Sequence, residues 1–395
     1  MRKHFVCGAL LLCGGACSSA GPLVPAAIVI TPSPLQVKQG ATATVTARVV
    51  DADGAEIPGL AVALVSGNSA IAQVTGAAVT GVAPGSTILT GTHADLSASA
   101  EVEVYGHPAR TSLTPVTMSG GPFGTAITRQ GRMFVARHFV DTVSSAVLPG
   151  ITFGTHLFVG RDPVSLALDS AGERLYVTKQ FSQNVGVANV GATTLIDSIP
   201  VTGDPFIVVM SPDQSSLFVT TNANSVQKVV LATRQVTEFD SYTTISNGIA
   251  FHPSDTLMYV AAINGNVYEY NLRTGGGLRT FSAGGLFQGV GVADDGGELY
   301  VADENGAVRI WNLVTGAVVP AVPLSGGPFD LKVTPDGAEI WVSLSSGGSV
   351  VVLDRATHTV IDTIPTGGTP RRIAFDRFGG VAVIGNEDGW ADIVR

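Results

Sequence analysis

The sequence predicts an all-β protein in which a small β-sandwich is followed by a seven-bladed β-propeller. Two observations lead to this fold class. A dipeptide of an aromatic residue and valine recurs at nearly constant spacing through most of the chain, and the stretch before it alternates polar and apolar residues. A repeat of about 40 residues with strand-forming composition is typical of propellers, in which each repeat forms one four-stranded blade.

The repeat is centred on the aromatic–valine step. Its seven copies are 41 or 42 residues apart, and the last copy has alanine in place of the aromatic residue. A blade has two apolar faces and needs a neighbour on each side, so seven blades can bury these faces by closing a ring. The copies are Phe134-Val135, Tyr176-Val177, Phe218-Val219, Tyr259-Val260, Tyr300-Val301, Trp341-Val342 and Ala382-Val383.

The composition agrees with a compact β protein and argues against several other classes. The chain has 395 residues, of which 48 are glycine; only 13% are charged, and the net charge is −9. Abundant glycine suits tight turns, and the apolar content is too high for a disordered chain. Because no basic stripe is present to contact phosphate groups, we expect no nucleic-acid partner.

Residues 1–16 have the pattern of a signal peptide. Arg2-Lys3 precedes a short apolar run, small residues follow it, and all three cysteines of the chain lie in the first 17 residues. The apolar run is too short to anchor the chain across a bilayer. The segment Gly-Gly-Ala-Cys17 resembles a bacterial lipobox, although Gly14 stands where that family usually has leucine. This resemblance implies lipidation of Cys17; ordinary secretion is the alternative.

Residues 17–26 are small, uncharged and contain proline, as expected of a lipidated tether. No aspartate follows Cys17, which resembles the signal for residence in an outer membrane. We therefore expect an exported lipoprotein of the outer membrane or cell surface, with a periplasmic orientation as the alternative. Its contact with the membrane is expected through the lipid anchor alone.

Residues 27–105 are predicted to form the sandwich. Strand-like alternation runs through Ile28–Ile30 and Thr42–Val49, and Asp51-Ala-Asp-Gly54 supplies a turn. The segments "SGNSAIAQV" and "GAAVTGVAPGSTILTGT" resemble the bacterial Ig-like group 2 domain, which implies a spacer or adhesive role. Leu64 stands where this family commonly has a core tryptophan.

Residues 106–395 are predicted to form the propeller, and blade two shows its unit. Strands are expected at Ser165–Asp169, Arg174–Lys179, Asn184–Val190 and Leu195–Val201, each bounded by turn-forming residues. The cores "YVTK", "FVTT", "YVAA" and "YVAD" and the turn Ser211-Pro-Asp213 resemble the YVTN-type propeller family. The segment "VRIWNL" also resembles WD-type propellers, but the Gly-His pair of that family is missing.

The count of strands predicts how the ring closes. After Ala382 only 13 residues remain, which is enough for one further strand at Trp390–Val394. Blade seven therefore lacks its outermost strand, and residues 110–118 resemble that strand. We expect the two ends of the propeller to share blade seven, which removes an open sheet edge.

A ligand-binding site is predicted where the loops that lead into the blades meet the ends of the second strands, around one mouth of the central channel. Phenylalanines beside cationic residues could hold an anionic or planar ligand through cation–π and charge contacts. The alternative is that these phenylalanines only pack between blades. The candidate residues are Phe123, Arg137, Lys179, Phe206, Gln288, Asp303, Phe329 and Arg371.

A metal-assisted hydrolase, lactonase or lyase is the alternative function, because such enzymes need several convergent carboxylates or histidines. His252 occupies a turn on the opposite face, and neither a nucleophile elbow nor a cysteine outside the first 17 residues is present. We therefore predict no catalytic residues, metal site or cofactor. The donors available near the mouth are His138, Asp303, Glu304, Glu387 and Asp388.

The leading interpretation is a non-enzymatic envelope lipoprotein in which an Ig-like stalk presents a propeller for binding. Its ligand is a protein, a glycan or a small molecule, and the protein is expected to be a monomer. A purely structural envelope component is a third possibility.

Overall fold

The structure is a computed structural model that describes residues 23–241 and 244–395. The expected signal peptide and Cys17 lie outside the described residues. No helix within the described ranges is long and apolar enough to cross a membrane.

The N-terminal region consists of strands arranged in three sheets around one apolar core. The sheets have the orders β2-β9-β8-β5, β3-β7-β6 and β1-β4, and β2 runs parallel to β9. Ile28, Val49 and Val102 lie in the core, and Leu64 is half-buried against it. The strands are β1 (Ala27–Thr31), β2 (Leu35–Lys38), β3 (Thr42–Thr44), β4 (Thr46–Val50), β5 (Ala63–Ser66), β6 (Ala72–Thr75), β7 (Ala78–Gly81), β8 (Gly85–His93) and β9 (Leu96–Tyr105).

The remaining described strands form seven four-stranded sheets, which are the blades of a β-propeller. Blades one to three are antiparallel meanders in chain order, and a short 3-10 helix, His138–Val140, follows the second strand of blade one. Their strands are β11 (Pro122–Ile127), β12 (Arg132–Arg137), β13 (Thr142–Val147), β14 (Thr155–Phe158), β15 (Pro163–Leu168), β16 (Arg174–Lys179), β17 (Asn184–Asn189), β18 (Asp197–Pro200), β19 (Pro205–Met210), β20 (Ser216–Thr221), β21 (Ser225–Val230) and β22 (Gln235–Ser241).

Blades four to six repeat the same meander. Their strands are β23 (Ser246–Phe251), β24 (Leu257–Ala262), β25 (Asn266–Asn271), β26 (Gly277–Ser282), β27 (Phe287–Val292), β28 (Glu298–Asp303), β29 (Ala307–Asn312), β30 (Val318–Pro323), β31 (Pro328–Val333), β32 (Glu339–Leu344), β33 (Ser349–Asp354) and β34 (Thr359–Ile364).

Blade seven joins the two ends of the propeller. It contains β35 (Pro370–Phe375), β36 (Ala382–Asn386) and β37 (Trp390–Val394), and its outermost strand is β10 (Leu113–Thr117). Leu113 lies opposite Val394, and Thr117 lies opposite Trp390 in an antiparallel ladder. The prediction that the segment 110–118 closes the ring is therefore confirmed.

The strand bounds of blade two agree closely with those expected from the sequence. The second strand is Arg174–Lys179, as predicted, but the first begins at Pro163 rather than Ser165. A register shift between Pro163 and Ser165 opposite the second strand explains why alternation alone misses the start of this strand. The fourth strand is shorter than predicted and spans Asp197–Pro200.

In the six repeats that have an aromatic residue, this residue is buried against the next blade. Tyr300 of blade five packs in one cluster with Ile340 and Val342 of blade six, and its exposed fraction is 0%. Burial of such a side chain stabilises a fold by about 2–3 kcal/mol. The repeat therefore supplies the contact that holds each blade to its neighbour.

The propeller has two distinct faces. We call the face where the inner strands begin the upper face, and the face of the turns between first and second strands the lower face. The N-terminal region contacts the lower face: Lys38 Nζ lies 2.7 Å from Asp294 Oδ2, and the Gly106 N–H donates to the Phe378 carbonyl at 2.8 Å. Arg377 also pairs with Glu103. The upper face has no part in these contacts.

Candidate functional site

The upper end of the central channel is closed by apolar side chains from four blades. Phe123, Val164 and Phe329 are buried, and Phe206 packs against them. The ring of Phe123 lies 6.0 Å from that of Phe206 and 5.8 Å from that of Phe329, both edge to face. We call these four residues the phenylalanine plug. Contacts of this kind across the ring agree with the packing role that the sequence left open.

Two arginines from blade seven lie against the plug. The guanidinium of Arg371 is 4.6 Å from the centre of the Phe329 ring, and that of Arg372 is 5.0 Å from it. Arg371 Nε also donates to Glu387 at 2.6 Å, and His138 Nε2 lies 3.0 Å from the same carboxylate. These contacts from His138 and Arg371 keep the pKa of Glu387 below its usual range. The carboxylate is therefore already engaged by an arginine and a histidine.

Gln288 lies in a second polar chain on this face. Its amide nitrogen donates to Glu304 at 2.6 Å, and its oxygen accepts from the Asn247 amide at 2.7 Å. The structure thus brings Gln288 to the rim of the channel mouth, with one hydrogen bond within blade five and one to blade four.

Arg137 and Lys179 end the second strands of blades one and two, opposite Pro122 and Pro163, as the repeat predicts. Arg137 Nε donates to the Ser119 carbonyl at 2.6 Å, and Lys179 Nζ donates to Ser198 Oγ at 3.1 Å. Burial lowers the pKa of both cations. Neither side chain is paired with a carboxylate among the described residues.

Asp303 is placed differently from the other candidate residues. Asp303 is the last residue of β28 and lies opposite Phe287, as the repeat predicts, but its side chain is fully buried. Its oxygens accept from the Leu286 N–H at 2.9 Å and from Arg309 Nη2 at 2.8 Å. Asp303 therefore holds a turn and an ion pair within blade five and is turned away from the channel mouth.

The carboxylates named for a metal-assisted enzyme do not converge. Asp303 is paired with Arg309, Glu304 with Gln288, and Glu387 with Arg371. Within residues 23–241 and 244–395, no group of three or more His, Cys, Asp or Glu side chains could hold a metal ion. His252 lies in a lower-face turn, with its Nδ1 2.8 Å from Ser254 Oγ, which agrees with its predicted role in the turn.

A second feature of the upper face was not identified from the sequence. Phe139, Val140, Phe158 and Phe181 of blades one and two are exposed by 62%, 40%, 63% and 51%. We call them the aromatic patch. Single exposed apolar residues are ordinary on proteins, whereas a contiguous group of large ones marks an interaction surface.

Hydrogen bonds join the segments that carry the patch. The Val159 N–H donates to the Asp141 carbonyl at 3.0 Å, and the Gln180 N–H donates to the Asp162 carbonyl at 3.0 Å. The ring of Phe139 also lies over Gly121, where a Cβ would approach it to 2.5 Å, in a backbone of φ +63° that favours glycine. The scaffold therefore holds the segments that carry the patch next to one another.

Cations surround this patch without acidic partners. The guanidinium of Arg161 lies 5.9 Å from the centre of the Phe181 ring. In the part of the chain that the structure describes, Arg161, like Arg137 and Lys179, forms no ion pair with a carboxylate. A chain with a net charge of −9 thus keeps three unpaired cations on one side of its upper face.

An alignment of the turns that follow the second strands would have revealed the patch. Blades one and two carry phenylalanine there, whereas the other blades carry small or polar residues with one isoleucine. Those turns are Asn222-Ala223-Asn224, Ile263-Asn264-Gly265, Glu304-Asn305-Gly306, Ser345-Ser346-Gly347 and Glu387-Asp388-Gly389.

Comparison with known proteins gives the architecture. No family model matches the chain, and no curated protein matches it. Among solved structures, Kuenenia stuttgartiensis hydrazine synthase is similar with a TM-score of 0.65 and 16% sequence identity, over 73% of this chain and 98% of that chain. At this identity the likeness supports the β-propeller fold and carries no information on activity, because propellers host many unrelated functions.

Proposed function

We propose that this protein is a cell-envelope lipoprotein whose propeller binds another protein through the upper face of blades one and two. An Ig-like domain at residues 27–105 carries the propeller on its lower face, and lipidated Cys17 anchors the chain. The N-terminal contacts at Asp294 and Phe378 support this arrangement, because they leave the upper face accessible.

The aromatic patch is the observation that carries the proposal. Large exposed aromatic residues beside arginine are the side chains that dominate binding energy in protein interfaces. Arg137 and Lys179 already bear the cost of partial desolvation, as their lowered pKa values indicate. A carboxylate that approaches Arg137, which is partly exposed whereas Lys179 is buried, gains more than it would from a fully hydrated cation.

The aromatic patch and the unpaired cations near it indicate the class of partner. We expect a protein segment that presents acidic side chains between apolar ones, since it would match both the phenylalanines and the unpaired cations. A neutral glycan fits less well, because sugar hydroxyls need acceptors as well as donors, and the cations Arg137, Arg161 and Lys179 supply donors only.

Binding of a labelled peptide tests the proposal. The probe is a fluorescein-labelled peptide rich in glutamate and leucine, and the matched probe has glutamine in place of each glutamate. We expect the acidic probe to bind at low salt and to weaken as salt rises. Phe181→Ser together with Arg161→Ser should weaken it by about tenfold or more, the range expected for interface hot spots.

A matched surface variant provides the control. Leu278 is 55% exposed on the outer edge of blade four, away from the upper face, and Leu278→Ser should leave binding unchanged. Equal loss in both variants would contradict the proposal, as would equal affinity for the two probes. Binding of phosphatidylglycerol vesicles but not of either peptide would indicate a membrane contact instead and would also overturn it.

The lipid anchor is tested separately. Cells that express the full chain are labelled with an alkyne fatty acid, and Cys17→Ser is compared with the wild type. We expect the label on the wild-type protein only. An unlabelled, secreted wild-type protein would refute the lipoprotein part of the proposal and leave the binding surface untouched.

A further inference from the structure

The central channel contains a cavity of about 100 Å³ that is lined by the inner strand of every blade. The phenylalanine plug lies above it. Much of its wall is polar, with Asn247, Asp330 and Arg372 among the lining residues, and Ile207 adds an apolar side chain. A concave site with a small number of placed polar groups is typical of sites for small ligands.

One cation breaks the pattern of the wall near its lower end. The fifth residue of the inner strand is Lys332 in blade six, whereas the other six blades have small or apolar residues there. Lys332 lines the cavity, is exposed to solvent and contacts no carboxylate among the described residues. The six equivalent residues are Ala126, Ala167, Val209, Ala250, Gly291 and Ala374.

A second cation reaches across the channel from a position closer to its upper end, at the third residue of an inner strand. Arg372 of blade seven donates from Nη1 to Asp330 of blade six at 3.0 Å and from Nη2 to the Asn247 carbonyl of blade four at 3.4 Å. Its Nε has no hydrogen-bond partner within the described chain. A guanidinium has five N–H donors, so these two bonds leave most of its donors without an acceptor.

The carboxylate of the cavity is already engaged. Asp330 accepts from Arg372 with one oxygen and from the Ile373 N–H at 3.0 Å with the other. It neutralises Arg372 and leaves Lys332 uncompensated. The cavity therefore carries one net positive charge, and the buried Nε of Arg372 lacks an acceptor among the described residues, a cost that an anion in the cavity would offset.

We infer that this channel is a binding site for a small oxyanion, held by Lys332 and Arg372. The ligand enters from the lower end, where Lys332 is exposed, because the plug closes the upper end and the Arg372 side chain is only 11% exposed. This site is independent of the proposed protein-binding surface, since the two lie on opposite sides of the plug.

The wall selects a monocarboxylate over phosphate. A single negative charge matches the single net positive charge, whereas a second charge would lose its hydration without gaining a partner. An alkyl group of the same ligand would lie against Ile207 in the wall and gain from burial there. A short-chain carboxylate such as butyrate is therefore the best probe.

Titration calorimetry of the full chain with sodium butyrate, at constant ionic strength, tests the inference. We expect saturable binding that is weaker for acetate and weaker still for inorganic phosphate. Lys332→Met should weaken butyrate binding by about tenfold, the effect of removing a charge-assisted hydrogen bond. Lys332→Arg should retain most of the affinity, because it restores the charge.

Arg129→Met is the matched control, because Arg129 is an exposed cation on the same face outside the lining of the cavity. We expect it to bind butyrate as the wild type does. An equal loss in Arg129→Met and Lys332→Met would show nonspecific charge attraction and overturn the inference. Absence of saturable binding by the folded wild-type protein would overturn it as well, as would unchanged affinity in Lys332→Met.

Discussion

The two faces of the propeller differ in whether their charged side chains form ion pairs. On the lower face, the segment between β9 and β10 is held by ion pairs: His107 lies 2.7 Å from Asp336, and Arg110 lies 2.7 Å from Glu339. On the upper face of blades one and two, Arg137 and Arg161 have no acidic partner among the described residues. Paired charges build the contact between the N-terminal region and the ring, and unpaired ones remain available for a partner.

The same contrast holds for apolar groups. Tyr105 of the N-terminal region packs its ring 5.8 Å from that of Phe378 on the lower face, whereas Phe139 and Phe181 of the upper face remain largely exposed. The repeat itself gives every blade the same framework. The difference between the faces therefore comes from residues that depart from the repeat, and function is expected to follow those departures.

Removal of the closing strand is expected to have the largest effect. Deletion of residues 107–119 removes β10 and leaves the edge of β37 unpaired, together with the apolar contacts of Leu113. An unpaired edge promotes association between chains, so we expect insoluble protein. Soluble expression and size-exclusion chromatography measure this outcome. A soluble monomer of wild-type thermal stability would contradict the closure.

Asp392 contrasts with the upper-face cations, because it is a buried carboxylate that has no cationic partner among the described residues. Burial raises its pKa to about 6, and it accepts hydrogen bonds from Trp390 at 3.0 Å and from Asn386. A raised carboxylate pKa lowers stability as the pH rises from about 4 to about 6, and this loss persists above that range.

The substitution Asp392→Asn keeps a side-chain oxygen that accepts hydrogen bonds and removes the negative charge. We expect it to raise the free energy of unfolding at pH 8 by an amount on the order of 1–3 kcal/mol and to have little effect at pH 4. Chemical denaturation at the two pH values measures the difference. An equal effect at both pH values would show that burial of the charge is not the cause.

The contact between the N-terminal region and the ring should depend on pH through His107. Its hydrogen bond to Asp336 raises the pKa of His107 above 6.5. The stabilisation is therefore fully present below about pH 6.5 and is lost as the pH rises through the raised pKa of the folded state. His107→Gln should remove this dependence, and the expected change in melting temperature is about 2 °C.

Melting curves between pH 6 and pH 9, recorded for both proteins, measure this effect. His93 provides the control, because it lies in the N-terminal region and contacts the Ala61 carbonyl rather than the ring. His93→Gln should retain the wild-type dependence on pH. Parallel curves for His107→Gln and the wild type would show that this pair does not stabilise the contact.

The smallest expected effect is on the stability of patch variants. Phe181→Ala and Phe139→Ala should change the free energy of unfolding by no more than about 0.5 kcal/mol, as is usual for surface positions. Phe329→Ala in the plug is the contrast, because that side chain is 5% exposed and its truncation should cost about 3 kcal/mol or more. Urea denaturation measures both. A large loss in a patch variant would indicate a packing role rather than a binding role.

The architecture could be predicted because each blade repeats the same alternation and turn chemistry. The spacing of the aromatic–valine step locates the second strands. The small number of residues after Ala382 indicates that blade seven needs a strand from the start of the propeller. Register also places Lys179 and Asp303 at the ends of their strands on the upper face. These are properties of the backbone, which local sequence largely determines.

Side-chain direction could not be predicted in the same way. Asp303 is turned toward Arg309 of the following strand, and Arg372 reaches the Asn247 carbonyl across the channel. Both depend on contacts between residues that are distant along the chain or across the sheet. The exposure of Phe139 depends on the turn after the second strand, whereas the repeat specifies only the end of that strand.

Hydrogen–deuterium exchange with the acidic, leucine-rich peptide tests the central claim most directly, namely that the departures from the repeat on blades one and two form the binding surface. We predict slower exchange in residues 138–141, 158–162 and 180–183 when the peptide is bound, with no change in the lower-face segments 334–337 and 376–380. Protection of the lower-face segments, or of equivalent turns in all seven blades, would contradict the account.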